Sequence, residues 1–387
     1  LNLAMITGQI DSMGRAIAES TRRQAQALPV LRQLLHRFSV QYEGLSIAAD
    51  SEVGRRLRCA SPAGEPLETV VPSQAPPEKV TLVASDGSQI YPDRHGLAFF
   101  YAINVATIVL RQGSGRAPEV FNEPRLFFME EDLYPGGQPV SSELVGAQRN
   151  LAEMSDLVDH TLRKPLNLPP RIALADGPLL IWLQHAALSE AQRDRILRDY
   201  LTCLDRLRSA SAPVAGFVSR PQSAEVVALL WLGLAAREGR DEAPSLYQTE
   251  FRGVSDRNLF ATLSPGERSA LFLRGTAANR DFRARGHAIH FFYLNTGTDI
   301  ARVEIPQWVA ESSADLDCVH ATVYHQCSVN RGYPYILSRA DEEAVIMADE
   351  RALLEDMIVR AMTRQGLVPP ELSRKAQQKQ IARRRRR

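Results

Sequence analysis

Through the first fifty residues apolar positions recur at helical spacing. Ile17, Leu28, Leu31, Leu34, Leu35 and Phe38, with basic and polar side chains between them, predict one or two amphipathic helices. Ser61 to Lys79 is rich in Pro, Glu and Ser and predicts a linker. The period then changes. A strand is expected over 79–86, and the aromatic and β-branched run LAFFYAINVATIVL (97–110) is its hairpin partner, with the turn near Asp93 to Gly96. That run is too short to span a bilayer and holds Asn104 near its middle. Farther on, helix is expected from Ser141 to Leu162, strand at 171–176, helix from Ser189 to Arg208, strand at Val214 to Val218 and helix from Ala224 to Ala235. Residues 236–286 are charged, Gly-rich and weakly periodic, which predicts an insertion. Strands resume at Ala288 to Asn295 and Ile300 to Ile305, and a last amphipathic helix is expected from Ala340 to Met362.

This order gives a helical segment over 1–60, a linker over 61–78, an α/β domain over 79–365 and a basic tail over 366–387. Strand, hairpin strand, helix, strand and then further helix and strand units make a mixed sheet flanked by helices, the arrangement of a ribonuclease H-like fold.

Two of the strands close on the same dipeptide, Asp86-Gly87 in TLVASDGSQIYP and Asp176-Gly177 in RIALADGP. A turn-forming aspartate explains either one. The alternative makes both of them metal ligands at strand carboxyl ends, where open α/β sheets place their chemistry. Such a core needs a third acid from the intervening helix; Glu153 is the candidate, with Asp156 one turn away and Asp159 beyond it. Phosphodiester hydrolysis must activate a water, neutralise charge on the phosphorane oxygens and stabilise the leaving alkoxide, and two divalent cations about 4 Å apart do all three. Carboxylates suit Mg²⁺ or Mn²⁺.

Charge adds one feature. The chain of 387 residues has a net charge of +1, but 372–387 carries eight basic side chains (Arg374, Lys375, Lys379, Arg383 to Arg387) and no acidic one, so the remainder sums to 1 − 8 = −7. Such a tail suits contact with phosphates or an acidic partner. Four cysteines without CxxC spacing suggest neither a zinc site nor a disulfide framework. No amino-terminal stretch pairs a charged segment with an apolar one, and a reducing, cytoplasmic compartment is expected. His287, His290, His320 and His325 lack the spacing of a zinc site and are expected to be structural.

The carboxyl-terminal third carries RVEIPQWVA (302–310), HQCSVNRGYPYILSRADEEAVI (325–346) and ERALLED (350–356). With the DGS after the first strand, Arg149-xxx-Glu153, the DG of the second strand and GFVSR at 216–220, their order resembles the NurA nucleases over about residues 79–360. The resemblance implies a ribonuclease H-like core binding Mn²⁺ or Mg²⁺, with Asp86, Glu153 and Asp176 as acidic ligands. Tyr333 matches the tyrosine of the family's GYP motif, and Asp341 stands where the family usually has a histidine, favouring oxygen-only coordination. Arg220 replaces a lysine that the family tends to have there, keeping the charge as a planar fork suited to phosphate. Arg149 is a second candidate DNA contact.

What the resemblance implies of activity is a metal-dependent 5′-to-3′ exonuclease with single-strand endonuclease activity. It would act as a homodimer on DNA ends beside a HerA-type hexameric ATPase in double-strand break resection. The alternative is a non-catalytic adaptor for DNA ends or the translocase, with Asp341 marking a decayed site. Three retained acids argue against decay, since like carboxylates packed together repel unless a cation separates them.

Overall fold

The computed structural model describes residues 3–39, 42–94, 96, 98–163, 170–181, 183, 188–238 and 249–367. The arginine-rich tail from 368 onward, with 239–248 of the expected insertion, lies outside the described residues. The strands in chain order are β1 (Ser61–Pro62), β2 (Val80–Ile90), β3 (Tyr101–Gln112), β4 (Glu119–Phe127), β5 (Arg171–Asp176), β6 (Val214–Val218), β7 (Phe272–Leu273), β8 (Ile289–Asn295) and β9 (Ile300–Pro306). The chain forms two compact units, one of Leu1–Glu78, Asp176–Leu180 and Pro213–Tyr335, the other of Lys79–Ala175, Ile181–Ala212 and Ile336–Arg387.

In the first unit the strands run in the order β1, β7, β8, β9, β6, all antiparallel to their neighbours. Helix Glu225–Arg237 is apolar nearly all round because it is enclosed. Its Leu229, Leu230 and Trp231 are each 1% exposed or less. Burial of each such side chain contributes roughly 1.5–3 kcal/mol. Gly233 lets a neighbouring helix close on it, since a Cβ there would lie 2.5 Å from Leu45 Cδ2 and 3.0 Å from Phe38 Cε2. The expected amino-terminal helix is Thr7–Phe38, whose Leu31, Leu34 and Phe38 join this core.

Residues 61–78, expected as a linker, are tied into the unit through β1 and through Glu65, which accepts from Arg268 Nη2 at 2.9 Å. Residues 249–286, expected within an insertion, are equally integral. They supply β7 and the buried Phe251, Asp256 and Phe272. Their periodicity is weak because short strands and single helical turns alternate there.

In the second unit β5 runs parallel to β2, and β3 and β4 follow antiparallel. The β2–β3 hairpin is as expected, with Gly96 N–H donating to the Asp93 carbonyl at 3.0 Å. Helix Ser142–Thr161 begins on Ser141, whose hydroxyl accepts from Leu144 N–H at 3.1 Å. Helix Glu190–Ser209 begins on Ser189 with a capping box completed by Gln192.

Two further expectations are corrected. β2 does not end at Asp86 but continues to Ile90, because β3 pairs with it residue by residue as far as Ile90 opposite Ala102. The expected helix from Ala340 to Met362 is two, Tyr335–Ala344 and Ala348–Arg364. The break is enforced at both sides: side chains from the sheet take the carbonyls of Glu343 and Ala344, and Glu350 Oε2 accepts Met347 N–H at 2.8 Å. Helix Ser313–Val329 and strand β4 were not anticipated.

Candidate active site

Each residue of the Asp86-Gly87-Ser88 triplet has its own geometric role within the second unit. Asp86 lies inside β2, half-buried, opposite Ala106. Gly87 lacks the side chain that would collide with the neighbouring helix. A Cβ there would be 2.6 Å from Glu153 Oε1 and 3.0 Å from both Glu153 Cγ and Arg149 Cγ. Glu153 and Arg149 therefore rest directly on the strand beside Asp86. Arg149 Nε pairs with Glu153 Oε1 at 2.9 Å, one helical turn apart, and its Nη1 donates to Gln89 Oε1 at 3.0 Å.

Ser88 docks a second helix. Its hydroxyl donates to the Ala344 carbonyl at 2.5 Å, joined there by Asn104 Nδ2 at 3.0 Å, while Asn122 Nδ2 reaches the Glu343 carbonyl at 3.2 Å. Ser88 and Asn104 face each other across β2 and β3, and Asn122 comes from β4. Three adjacent strands thus satisfy carbonyls that the end of helix Tyr335–Ala344 leaves open. That helix carries Asp341, which is exposed.

The other acids of helix Ser142–Thr161 are engaged elsewhere. Asp156 is buried against Arg125, and burial, the largest influence, raises its pKa despite that guanidinium. Asp159 pairs with Arg206 at 2.7 Å. Of the three, Glu153 is the one held on Gly87.

A second group stands in the first unit. Asp176 is exposed at the end of β5, and Gly177 after it takes a positive φ of 81° that a residue without Cβ adopts freely. The Tyr333 hydroxyl donates to Asp176 Oδ1 at 2.8 Å. Its ring meets Phe217 edge-on with centroids 5.4 Å apart. Arg220, with φ of 46°, pairs through Nε with Asp299 Oδ2 at 3.2 Å. Asp299 also accepts both arms of Arg257, at 2.6 and 2.7 Å. No local pattern marks Arg257 and Asp299, because only the fold brings the β8–β9 turn beside residue 257.

A buried ionic network lies on β9. Glu304 and Arg302, two apart on β9, are 1% and 2% exposed. They pair with each other at 3.0 Å, with Arg274 and Glu225 around them. Charged residues at period two in an apolar strand were the available signal. Among the histidines, His287 is fully buried and accepts at Nδ1 from Trp308 Nε1 at 3.3 Å. His320 donates from Nε2 to the Gly266 carbonyl at 2.9 Å. Both are structural, as expected.

The donors that the acids offer are oxygens only, the set that Mg²⁺ and Mn²⁺ prefer. Among the described residues no group of three His, Cys, Asp or Glu side chains converges on one point. One or two carboxylates suffice for a cation that keeps several waters and takes phosphate oxygens as further ligands. Among the described residues no helix is long and apolar enough to cross a membrane.

Parallel and antiparallel strands flanked by helices make this a mixed α/β protein. The chain belongs to the NurA family, a family of nucleases: residues 80–346 match the NurA domain. Among solved structures it is similar to the NurA nuclease from Sulfolobus solfataricus, at 13% identity and a TM-score of 0.47 over 77% of this chain and 87% of that one. It is also similar to a NurA bound to dAMP and manganese, at 11% identity and a TM-score of 0.33 over 83% and 95% of the two chains. The catalytic domain of human Endonuclease V is similar at 15% identity and a TM-score of 0.28 over 84% and 96%. No curated protein matches the chain.

Proposed function

We propose that this chain is a metal-dependent deoxyribonuclease that degrades DNA from a 5′ end and nicks single strands. The observation that carries the reading is the meeting of the family match over 80–346 with Glu153 seated on Gly87 beside Asp86. Glu153 reaches the strand only because position 87 has no side chain.

In this reading Asp86, Glu153 and Asp176 hold Mn²⁺ or Mg²⁺, two ions in all, and Asp341 offers a further oxygen. The chemistry such ions supply when bound is activation of the attacking water and neutralisation of charge on the phosphate oxygens. Tyr333 directs its hydroxyl at Asp176 and orients a water or a phosphate oxygen there. Arg149 neutralises Glu153 and, with Arg220, contacts backbone phosphates, which position the strand without reading its sequence. Arg220 is 78% exposed at its side chain and so is available to a polyanion. The chain is proposed to work in the cytoplasm as a homodimer, beside a HerA-type hexameric ATPase, resecting double-strand breaks. The basic tail adds electrostatic attraction to DNA.

The test is cleavage of end-labelled linear DNA in Mn²⁺, Mg²⁺ or EDTA, comparing the intact chain with Asp86→Ala. Metal-dependent shortening that the variant loses supports the reading. If neither protein cuts in any metal while both hold DNA ends equally, the chain is an adaptor, the reading that the exposed Asp341 in place of a histidine favours.

A further inference from the structure

We propose that Glu304 is a positioning residue whose buried carboxylate fixes the turn Asp176–Leu180 and so presents Asp176 to a divalent cation. This rests on the reading of Asp176 as a metal ligand. All the contacts involved lie within the first unit.

An aspartate at the last residue of a strand, followed by a glycine at positive φ, has little local restraint. Here the turn is tied to β6 and β9. Gly177 N–H donates to the Phe217 carbonyl at 2.8 Å, and Leu179 N–H donates to Glu304 Oε2 at 3.0 Å. Gly216, in register with Glu304, makes the second bond reachable, because a Cβ at 216 would stand 2.6 Å from the Gly177 oxygen and 3.0 Å from Leu179 Cγ. The turn settles on bare backbone at Gly216.

The other oxygen of Glu304 is held by two guanidiniums, Arg302 Nε and Arg274 Nη1, each at 3.0 Å. Arg302 is itself fixed, by Glu225 Oε1 at 3.0 Å and by the face of Phe291, 3.6 Å from its guanidinium carbon to the ring centroid. Stability alone is a poor reason for such a cluster, since buried ion pairs are often replaceable by apolar residues without loss. A charged acceptor aimed at one amide gives a stronger bond than a neutral one. Metal-binding carboxylates need their supports held to within about 0.5 Å. Glu304 supplies that rigidity through the backbone of the turn, while Tyr333 supplies it through the side chain.

The test uses the full chain, with amide hydrogen exchange of the segment 176–180 and Mn²⁺ binding followed by the resonance of the free ion. Pro178 has no amide, so Leu179 contributes a large part of the signal. In the unmutated protein the Leu179 amide exchanges slowly. Glu304→Asp keeps the charge for both arginines but shortens the reach. It raises the segment's exchange and weakens Mn²⁺ binding roughly tenfold, the scale seen when a residue supporting a metal ligand is lost. Glu304→Gln keeps the reach and restores part of the protection. Should Glu304→Asp fail to fold, rapid exchange of Leu179 in the unmutated protein still overturns the proposal. Loss of Mn²⁺ binding in Asp176→Asn beside unchanged exchange and binding in Glu304→Asp overturns the positioning role alone. Unchanged Mn²⁺ binding in Asp176→Asn overturns the ligand reading and the positioning role with it.

Discussion

The Tyr333 hydroxyl donates to Asp176 across 157 positions of sequence, at 2.8 Å. Both residues were candidates on motif grounds, and the bond gives their pairing a physical form: the phenol sets the orientation of the carboxylate while its ring is braced by Phe217.

Tyr333→Phe keeps that brace and removes only the hydroxyl. A net hydrogen bond is worth about 1 kcal/mol, so the unfolding midpoint should move little. A misaimed carboxylate is far more costly to catalysis, and cleavage should fall by roughly tenfold or more. Thermal unfolding and the cleavage rate, measured on one preparation, check both halves. A large drop in the midpoint would make Tyr333 a packing residue.

Gly87→Ala forces a Cβ to within 2.6 Å of Glu153 Oε1. The atoms in the way belong to flexible side chains, so the fold should survive with a loss of about 1–3 kcal/mol, the usual cost of overpacking. Glu153 must swing away from Asp86, and activity should be lost nearly as fully as in Glu153→Gln. A Gly87→Ala protein that cuts at the normal rate would remove Glu153 from the site.

Arg220→Gln should leave stability nearly unchanged, because the Arg220 side chain is 78% exposed and Arg257 continues to hold the Asp299 carboxylate. DNA binding should weaken, and the slope of log affinity against log salt should fall by about one unit, as for the loss of a single phosphate contact. Titration of a fluorescent duplex at several salt concentrations measures this, and an unchanged slope excludes Arg220 from the DNA surface.

Two buried groups give stability opposite pH dependences. Burial, aided by the Arg268 guanidinium, lowers the His320 pKa from 6.5 to about 4. The unfolded chain therefore binds the extra proton first, and stability is complete above about pH 6.5 and lost as pH falls toward 4, by up to roughly 3 kcal/mol. Asp256, fully buried, is pushed from 3.8 up to about 6 by burial, against bonds from Val226 N–H, Val227 N–H and the Tyr293 hydroxyl. Here the folded state takes the proton first, and acidification from pH 6 to 4 relieves a penalty. Denaturant unfolding at pH 7 and pH 4.5 should show a smaller acid loss in His320→Gln and a larger one in Asp256→Asn than in the unmutated chain. Equal slopes in all three would disprove both assignments.

The sequence by itself determined the elements with a clear period or a cap: the β2–β3 hairpin, helices Ser142–Thr161 and Glu190–Ser209 with their serine caps, and strands β5, β6, β8 and β9. Local chemistry is sufficient there, because alternation and capping act over a few residues. It also marked Asp86, Glu153 and Asp176, since acids beside glycine, and on a helix between two such strands, stand out in a linear pattern. Tertiary structure decided the rest. β2 runs past Asp86 because β3 satisfies its backbone, the last helix breaks at 345–347 because Ser88, Asn104 and Asn122 take its carbonyls, and 249–286 are core because β1 and β8 flank β7. The bonds from Tyr333 to Asp176 and from Leu179 to Glu304 span more than a hundred residues. No local pattern specifies them, for their energies depend on a geometry that exists only once the strands have paired.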